Sequence, residues 1–224
     1  MNLIVGDSHS NDIVFQNSTH LLCSAGSAKG LNNPNSISQY NKIIIDNVKN
    51  NNYDNLFFLF GGVDVDFCFI HKYLQNNSID YKNFNSEVVD DYLEFIEQNF
   101  YDRSVVILSV GLPVLDDINL KKGILNAHVN HLENQDIIIL EKKLSSCRLP
   151  NIYKRTKITL HFNEELKDKI MKLNNPNIKY LDVTRITYDF ELKRIKDNFF
   201  TRHEHHNNER KIYINNIIDI YLAK

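Results

Sequence analysis

The chain contains 224 residues, of which 42% are hydrophobic and 24% are charged. This is the composition of a globular protein that can bury a sizeable core without disulfide bonds, and it excludes a fibrous or disordered protein. Lysine and arginine total 26, aspartate and glutamate total 28, and the net charge of −2 gives no basic surface for nucleic acid. No apolar run reaches the roughly 18 residues of a membrane span. Because the first residues carry no basic segment, we also expect no signal peptide.

The three cysteines, Cys23, Cys68 and Cys147, lie far apart and form no CxxC motif. An odd number of cysteines at such spacing argues against a disulfide framework and against a cysteine-based zinc site. Cysteines that stay reduced are typical of a reducing compartment. We therefore predict a cytoplasmic protein.

Short apolar runs alternate with amphipathic segments along the whole chain. Runs that are apolar on both faces predict buried parallel strands, here at residues 3–5, 20–23, 56–60, 105–110 and 178–183. Apolar residues at helical spacing predict helices at residues 37–48, 86–100, 163–173 and 210–222, with Ser86 and Asn163 as N-caps. The alternation predicts one α/β domain over residues 1–224, with a parallel sheet of about five strands and helices on both faces. Residues 116–159, which include an apolar run at 137–140, are a possible insertion.

Six of the seven glycines lie just past the carboxyl end of a predicted strand. They are Gly6, Gly26, Gly30, Gly61, Gly62 and Gly111. Glycine lets the backbone adopt a positive φ or come close to a ligand, and in open α/β sheets ligands bind at the carboxyl ends of the strands. The glycines therefore indicate a site at that edge of the sheet, although turns after strands favour glycine in any case.

The first predicted strand ends in the segment Gly6-Asp7-Ser8-His9-Ser10. Ser8 would lie at the start of a helix, where free backbone N–H groups and the helix dipole favour developing negative charge. That position suits a serine nucleophile, which needs a base because an unassisted hydroxyl is weak. The alternative is an ordinary Gly-Asp-Ser turn.

Candidate bases lie almost 200 residues later, just before the last predicted helix, where His203, Glu204, His205 and His206 follow one another. Histidine titrates near neutral pH and suits general acid–base catalysis. The same four side chains could instead bind zinc or another transition metal, or form a solvated polar loop. Asp64 and Asp66 are a second possible metal pair, because they share a face if the segment is extended and diverge if it is helical.

These residues resemble the blocks of the SGNH (GDSL-type) hydrolase family, in order and over nearly the whole chain. Gly6-Asp7-Ser8 resembles the first block, with Ser8 as nucleophile, and Gly26 resembles the glycine of the second block, whose N–H helps to form the oxyanion hole. Gly61-Gly62-Val63-Asp64 falls where the third block, Gly-x-Asn-Asp, would fall, and His205 or His206 would be the base of the fifth. The resemblance implies a three-layer α/β/α sandwich with a flavodoxin-like sheet, and ester chemistry through an acyl-serine.

Two blocks depart from the family pattern. The third block has Val63 or Asp64 in place of its asparagine, and is closer to a subset of the family with Gly-Glu-Ile-Asp. An ionised carboxylate facing an oxyanion would oppose catalysis, so Asp64 would be protonated or would bind substrate. The fifth block lacks the aspartate that normally stands three positions before the histidine, which leaves Glu204 as the nearest acid.

The sequence therefore predicts an SGNH-like serine esterase or acyltransferase that acts on O-acyl groups of a small or carbohydrate substrate. Ser8 attacks, His205 or His206 accepts its proton with Glu204 nearby, and no cofactor or metal is expected. The predicted oxyanion and substrate-binding residues are Asp7, His9, Gly26, Gly62 and Asp64. One alternative is a non-catalytic domain of the same fold that binds a glycan or protein partner. Another is a metal-dependent enzyme that uses residues 203–206.

Overall fold

Five parallel strands form the central sheet of the computed structural model, which describes residues 1–11, 13–76, 78–128, 134–201 and 208–223. The strands are β1 (Asn2–Gly6), β2 (Ser18–Leu22), β3 (Asn55–Leu59), β4 (Val105–Leu108) and β5 (Ile178–Leu181). Their order across the sheet is β2-β1-β3-β4-β5, and each adjacent pair is parallel. The predicted five-stranded parallel sheet is confirmed.

Helices cover both faces of this sheet. The α-helices are α1 (Ala28–Leu31), α2 (Tyr40–Asn50), α3 (Phe69–Gln75), α4 (Tyr81–Phe100), α5 (Leu120–His128), α6 (Asn134–Ser146), α7 (Ile152–Leu173) and α8 (Asn208–Leu222). Short 3₁₀ helices occupy Ser8–Ser10 and Asp197–Phe199, a π-helix occupies Asp64–Cys68, and a two-stranded hairpin pairs β6 (Tyr188–Asp189) with β7 (Arg194–Ile195).

Alternate side chains of the central strands β1, β3 and β4 enter two separate hydrophobic clusters. Leu3 and Val5 of β1 pack into the larger cluster, whereas Ile4 between them packs into the smaller one with Ile214 and Ile218 of α8. Since both faces are covered, the central strands are apolar at almost every position, which is the pattern of a buried parallel strand. The three-layer α/β/α sandwich is thereby confirmed. Within the described ranges, none of the helices combines the length and apolar character needed to cross a bilayer.

Two predicted helices begin earlier than expected. α4 begins at Tyr81, where the Asp80 carboxylate accepts a hydrogen bond from Lys82 N at 3.0 Å, so the prediction of Ser86 as N-cap was wrong. α7 begins at Ile152 with Asn151 as its cap, so the prediction of Asn163 as N-cap was also wrong. The apolar run at residues 137–140 lies in α6. Whether residues 116–159 are an insertion stays a prediction.

Asn163 instead lies within α7 and holds the chain where it leaves β4. Its Oδ1 accepts from Val110 N at 2.8 Å and its Nδ2 donates to Val110 O at 2.9 Å, and both residues are buried. Asn163→Ala leaves two buried backbone groups unpaired, so we expect the free energy of unfolding to fall by about 2–3 kcal/mol. Chemical denaturation measures this. Asn175→Ala, which removes an exposed asparagine that also bonds a carbonyl, should cost under about 1 kcal/mol; equal losses would contradict the assignment.

Candidate active site

The turn that carries Ser8 is built directly on the carboxyl end of β1. Asp7 caps the 3₁₀ helix Ser8–Ser10, and its N–H donates to Leu59 O at 3.1 Å. Gly6 is required here, because a Cβ atom would lie 2.6 Å from the Ser10 side chain and 2.7 Å from Leu59 O. Ser8 is half-buried, and among the described residues neither its hydroxyl nor its N–H makes a hydrogen bond. Ser8 therefore lies at the start of a helix, and neither its hydroxyl nor its N–H is hydrogen-bonded to a described residue.

Asp7 joins the first block to the third. Its carboxylate is fully buried, and Oδ1 accepts from His9 N at 2.8 Å and lies 2.9 Å from His9 Nδ1. Its Oδ2 accepts from Val63 N at 3.4 Å. Asp7 was predicted among the oxyanion and substrate-binding residues. In the structure its carboxylate connects the turn of the first block with the turn of the third.

The imidazole ring of His9 packs directly against the backbone of Gly62. The imidazole is buried against Gly62, where a Cβ atom would lie 2.4 Å from Nδ1 and 2.7 Å from Cε1. The same ring is held from the other side by Asp7. Both residues were predicted near the substrate, which stays a prediction, and in the structure they pack against one another.

The second block is a tight turn that uses its own N–H groups. Gly26 N–H donates to Cys23 O at 2.8 Å, after Ala25 in the left-handed region with φ 58°. A Cβ atom at Gly26 would also lie 2.8 Å from Cys23 O, so close backbone approach accounts for this glycine. In this conformation the Gly26 N–H is bonded within the turn, and its predicted role in the oxyanion hole stays a prediction.

Asp64 accepts hydrogen bonds from the first two N–H groups of α1, the helix whose N-cap is Ser27. Its carboxylate is 1% exposed and accepts from Ala28 N at 2.7 Å and from Lys29 N at 3.4 Å. Burial raises the pKa of this carboxyl to about 7, although the hydrogen bonds from Ala28 and Lys29 act in the opposite direction. Asp64 was predicted near the oxyanion, and the structure directs it towards the backbone of α1.

Asp64 and Asp66 diverge, as expected if their segment is helical. Both lie in the π-helix Asp64–Cys68, and Asp66 Oδ2 lies 3.7 Å from His9 Nε2 on the side of the first block. Burial raises the pKa of Asp66, whereas the nearby charges of His9, Arg155 and Arg210 lower it. From sequence, Asp66 was predicted only as half of a metal pair, and neither arginine stood out.

Gly111 is the sequence feature that pointed to a close approach at this strand end, and the group that approaches is the buried side chain of Arg210. A Cβ atom there would lie 2.4 Å from Arg210 Nη1, so this glycine leaves room for the guanidinium. Arg210 is 3% exposed and donates to Leu112 O at 3.2 Å. The glycine pattern indicated a close approach at this strand end, but a sequence does not say whether a ligand or a side chain fills the space.

A Ser–His pair does occur near the turn, but it is Ser10 with His20. Ser10 Oγ lies 2.9 Å from His20 Nε2 and donates to Asp7 O at 2.7 Å. Because the hydroxyl proton is committed to the Asp7 carbonyl, His20 acts as the donor in this pair. The arrangement therefore stabilises the turn and does not activate Ser10 as a nucleophile.

The predicted base and its acid, His205, His206 and Glu204, lie outside the described residues, as does His203. Their roles as base or as metal ligands stay predictions. In the part of the chain that the structure describes, no three or more histidine, cysteine, aspartate or glutamate side chains are grouped to hold a metal ion.

Comparisons with known proteins place the fold. Neither a scan of protein-family models nor a search of curated proteins returns a match to this chain. The structure is similar to that of a GDSL-like lipase from Bacteroides thetaiotaomicron, with a TM-score of 0.52, 12% identity, and coverage of 99% of this chain and 87% of the lipase. It is also similar to a member of the lipolytic protein G-D-S-L family from Veillonella parvula, with a TM-score of 0.51, 16% identity, and coverage of 100% and 98%. The chain therefore has the SGNH-hydrolase fold that its sequence blocks predicted.

Proposed function

We propose that this protein is a serine esterase or acyltransferase that acts through an acyl-serine on O-acyl groups of a small or carbohydrate substrate. The observation that supports this most directly is Ser8, half-buried at the start of a helix on the carboxyl end of β1 in an SGNH-type fold. Ligands of open α/β sheets bind at this edge. Fold alone does not fix an activity, so the proposal depends on Ser8.

In the proposed reaction, Ser8 Oγ attacks the ester carbonyl while His205 or His206 accepts its proton. The Ser8 N–H donates to the oxyanion, and the protonated histidine then delivers its proton to the leaving alkoxide. Water or an acceptor hydroxyl next attacks the acyl-serine, which returns Ser8 to its starting form. Gly26 N–H would join the oxyanion hole only after release from Cys23 O.

An open cavity of about 490 Å³ lies beside the second and third blocks, a volume within the range of ligand sites. Its lining combines polar and charged side chains with apolar groups, and Ser8 is not among the lining residues, which are Ser27, Lys29, Gly30, Asn32, Asn33, Pro34, Asp64, Cys68, Lys72, Phe84 and Asp91. The polar groups could exchange hydrogen bonds with the hydroxyl groups of a small or carbohydrate substrate.

A serine-directed fluorophosphonate tests the proposal. We expect mass spectrometry of the digested wild-type protein to find one adduct, on Ser8, and the Ser8→Ala variant to give none. Ser24→Ala is the control, since it removes an exposed serine hydroxyl of the second block while leaving the Ser8 turn unchanged, and it should still be labelled. Absence of an adduct in folded wild-type protein, or an adduct that persists in Ser8→Ala, would contradict the proposal.

The bond from Gly26 N–H to Cys23 O favours a second candidate, a domain of this fold that binds a glycan or protein without catalysis. An oxyanion hole whose second-block donor stays within its own turn would have lost part of its transition-state stabilisation. Such a domain would bind ester-bearing ligands, leave them intact, and remain unlabelled by the fluorophosphonate.

A further inference from the structure

The apolar run at residues 137–140 gives α6 two apolar faces. Successive residues of an α-helix point about 100° apart, so four in a row cannot all face one partner. Leu140 packs against the larger hydrophobic cluster, which contains Leu144 one turn later. Ile138 and Ile139 lie on the other side of the helix and are 64% and 53% exposed. One face of α6 therefore anchors the helix, and the other presents apolar side chains to solvent.

Two lysines follow the exposed isoleucines on the solvent side of the helix. Lys142 lies one turn after Ile138, and Lys143 lies one turn after Ile139. Both lysines are exposed, and neither forms an ion pair with an acidic side chain that the structure describes. These four residues, Ile138, Ile139, Lys142 and Lys143, are called the outer face of α6 below.

The serines at the end of α6 satisfy their hydroxyl groups within the helix. Ser145 Oγ donates to Glu141 O at 2.8 Å, and Ser146 Oγ donates to Lys142 O at 3.0 Å. Such bonds to the preceding turn leave no hydroxyl proton that needs water. The outer face can therefore lose its contact with water without leaving these hydroxyl groups unpaired.

The charge of this element is opposite to that of the rest of the chain. Residues 137–148 contain three basic residues and one acidic residue, Glu141, whereas the rest of the chain contains 23 basic and 27 acidic residues. Because the outer face of α6 carries two lysines and no carboxylate, it is complementary to an anionic surface. The net charge of the whole chain conceals this difference.

The start of α5 repeats the same composition. Ile118 is 90% exposed, and the exposed side chains of Lys121 and Lys122 follow it by one turn. The two acids that precede this segment are bonded elsewhere, Asp116 to Asn119 N at 2.8 Å and Asp117 to the buried Arg155 at 2.9 Å. Single exposed apolar residues are normal on a protein surface, whereas here they occur twice beside pairs of unpaired lysines.

A lipid bilayer fits the outer face of α6 better than a second copy of this chain. In a symmetric dimer the same face contacts itself, so Lys142 and Lys143 of both copies would be brought together. Juxtaposed like charges oppose such a contact. At a bilayer, by contrast, isoleucines enter the boundary of the acyl chains, and lysine stems extend along it so that the ammonium groups stay at the lipid phosphates.

We propose that the outer face of α6 docks this protein on an anionic lipid bilayer. Ile138 and Ile139 enter the apolar boundary, and the ammonium groups of Lys142 and Lys143 bind the phosphate groups. The helix lies along the bilayer surface, held to the protein by Leu140 and Leu144 on its opposite side. This inference goes beyond the proposed function and does not depend on Ser8.

Co-sedimentation of the full chain with lipid vesicles tests this, using phosphatidylcholine alone and phosphatidylcholine with about 30% phosphatidylglycerol. We expect the partition coefficient to be at least about tenfold higher for the anionic vesicles, and to fall as strongly at about 1 M NaCl, which screens the charges. Ile138→Gln/Ile139→Gln should lower binding at least about tenfold, because apolar contact is lost while glutamine keeps the helix. Lys142→Gln/Lys143→Gln should lower binding to the anionic vesicles about 10- to 30-fold.

Two double variants elsewhere on the surface are the matched controls. Phe190→Gln/Leu192→Gln removes a pair of apolar side chains that are 63% and 44% exposed. Lys42→Gln/Lys49→Gln removes two exposed lysines of α2 and changes the net charge by the same amount. Both should bind within about twofold of the wild type, since attraction to the bilayer falls off within a Debye length. Far-UV circular dichroism verifies that each variant is folded.

The inference is wrong if the wild type does not bind the anionic vesicles, or if a control pair lowers binding as much as the pair that it matches. Size-exclusion chromatography with light scattering addresses the other occupant. A dimer that Ile138→Gln/Ile139→Gln dissociates, in a protein that does not bind vesicles, would assign this face to a second copy and overturn the inference. None of these measurements requires catalysis, so failure of the proposed function would leave their outcome unchanged.

Discussion

Gly62→Ala is expected to destabilise the protein by about 3–4 kcal/mol. The new Cβ atom would lie 2.4 Å from His9 Nδ1 and 2.9 Å from Cγ. The ring is buried and held by Asp7 Oδ1, so it cannot move away without losing that bond. Overpacking typically costs 1–3 kcal/mol, and loss of a buried hydrogen bond adds about 1–3 kcal/mol.

A double-mutant cycle checks the cause. In the His9→Ala background, Gly62→Ala should cost under about 1 kcal/mol, because the obstructing ring is gone and alanine is the better helix former. Gly123→Ala is the control: the Cβ atom would approach Leu115 Cδ1 to 2.3 Å, but that methyl group is the free end of a flexible side chain. An undiminished cost in the His9→Ala background, measured by urea denaturation, would show that the ring is not the obstacle.

Asp64→Asn is expected to change how stability depends on pH. Burial raises the pKa of Asp64 in the folded protein from 3.8 to about 7, so between these values the folded state holds a proton that the unfolded state releases. Stability therefore falls as pH rises from about 4 to about 7, and the full effect of such a shift is about 4 kcal/mol. Asparagine stays neutral over this range, and its Oδ1 can still accept from Ala28 N.

The measurement is the free energy of unfolding of both proteins from pH 4 to pH 8. Near pH 4 the two should be similar, because Asp64 is protonated in the folded wild type, and this serves as the internal control. By pH 7.5 the variant should have gained about 2–4 kcal/mol relative to the wild type. A difference between the two proteins that stays constant with pH would contradict the elevated pKa.

The strands were predictable because burial on both faces leaves a strong local signal. Residues 56–60, for example, are apolar at every position, and β3 occupies Asn55–Leu59 with its last four residues buried. Helix starts were less predictable, since several asparagine, aspartate and serine residues could serve as caps. Asparagine is a common N-cap residue, but the side chain of Asn163 forms hydrogen bonds with Val110, 53 residues earlier in the chain. No pattern among neighbouring residues predicts such a contact.

The candidate site was predicted in its location more than in its contacts. The sequence placed Ser8 at a strand end, and the structure agrees. Gly26 and Gly62 were assigned to oxyanion or substrate binding, which stays a prediction, and each also makes a close contact, with Cys23 O and with the His9 ring respectively. A glycine in the sequence indicates that another group comes close to the backbone, and only the structure shows which group it is. The guanidinium of Arg210 lies against Gly111, 99 positions earlier in the chain, which no motif of neighbouring residues could show.

The wide turn at Asp64–Cys68 sets the angular relation between two carboxylates. Phe69 N–H donates to Asp64 O five residues earlier, so this turn contains one residue more than an α-helical turn would. Deleting Val65, the one residue between them, would rotate one carboxylate by about 100° relative to the other, since an α-helix advances by that angle per residue. Either the hydrogen bonds to the first N–H groups of α1 or the contact with His9 would then be broken. The spacing of the two aspartates is consequently as restricted as their chemistry, and close relatives that keep both contacts should show no gap between them.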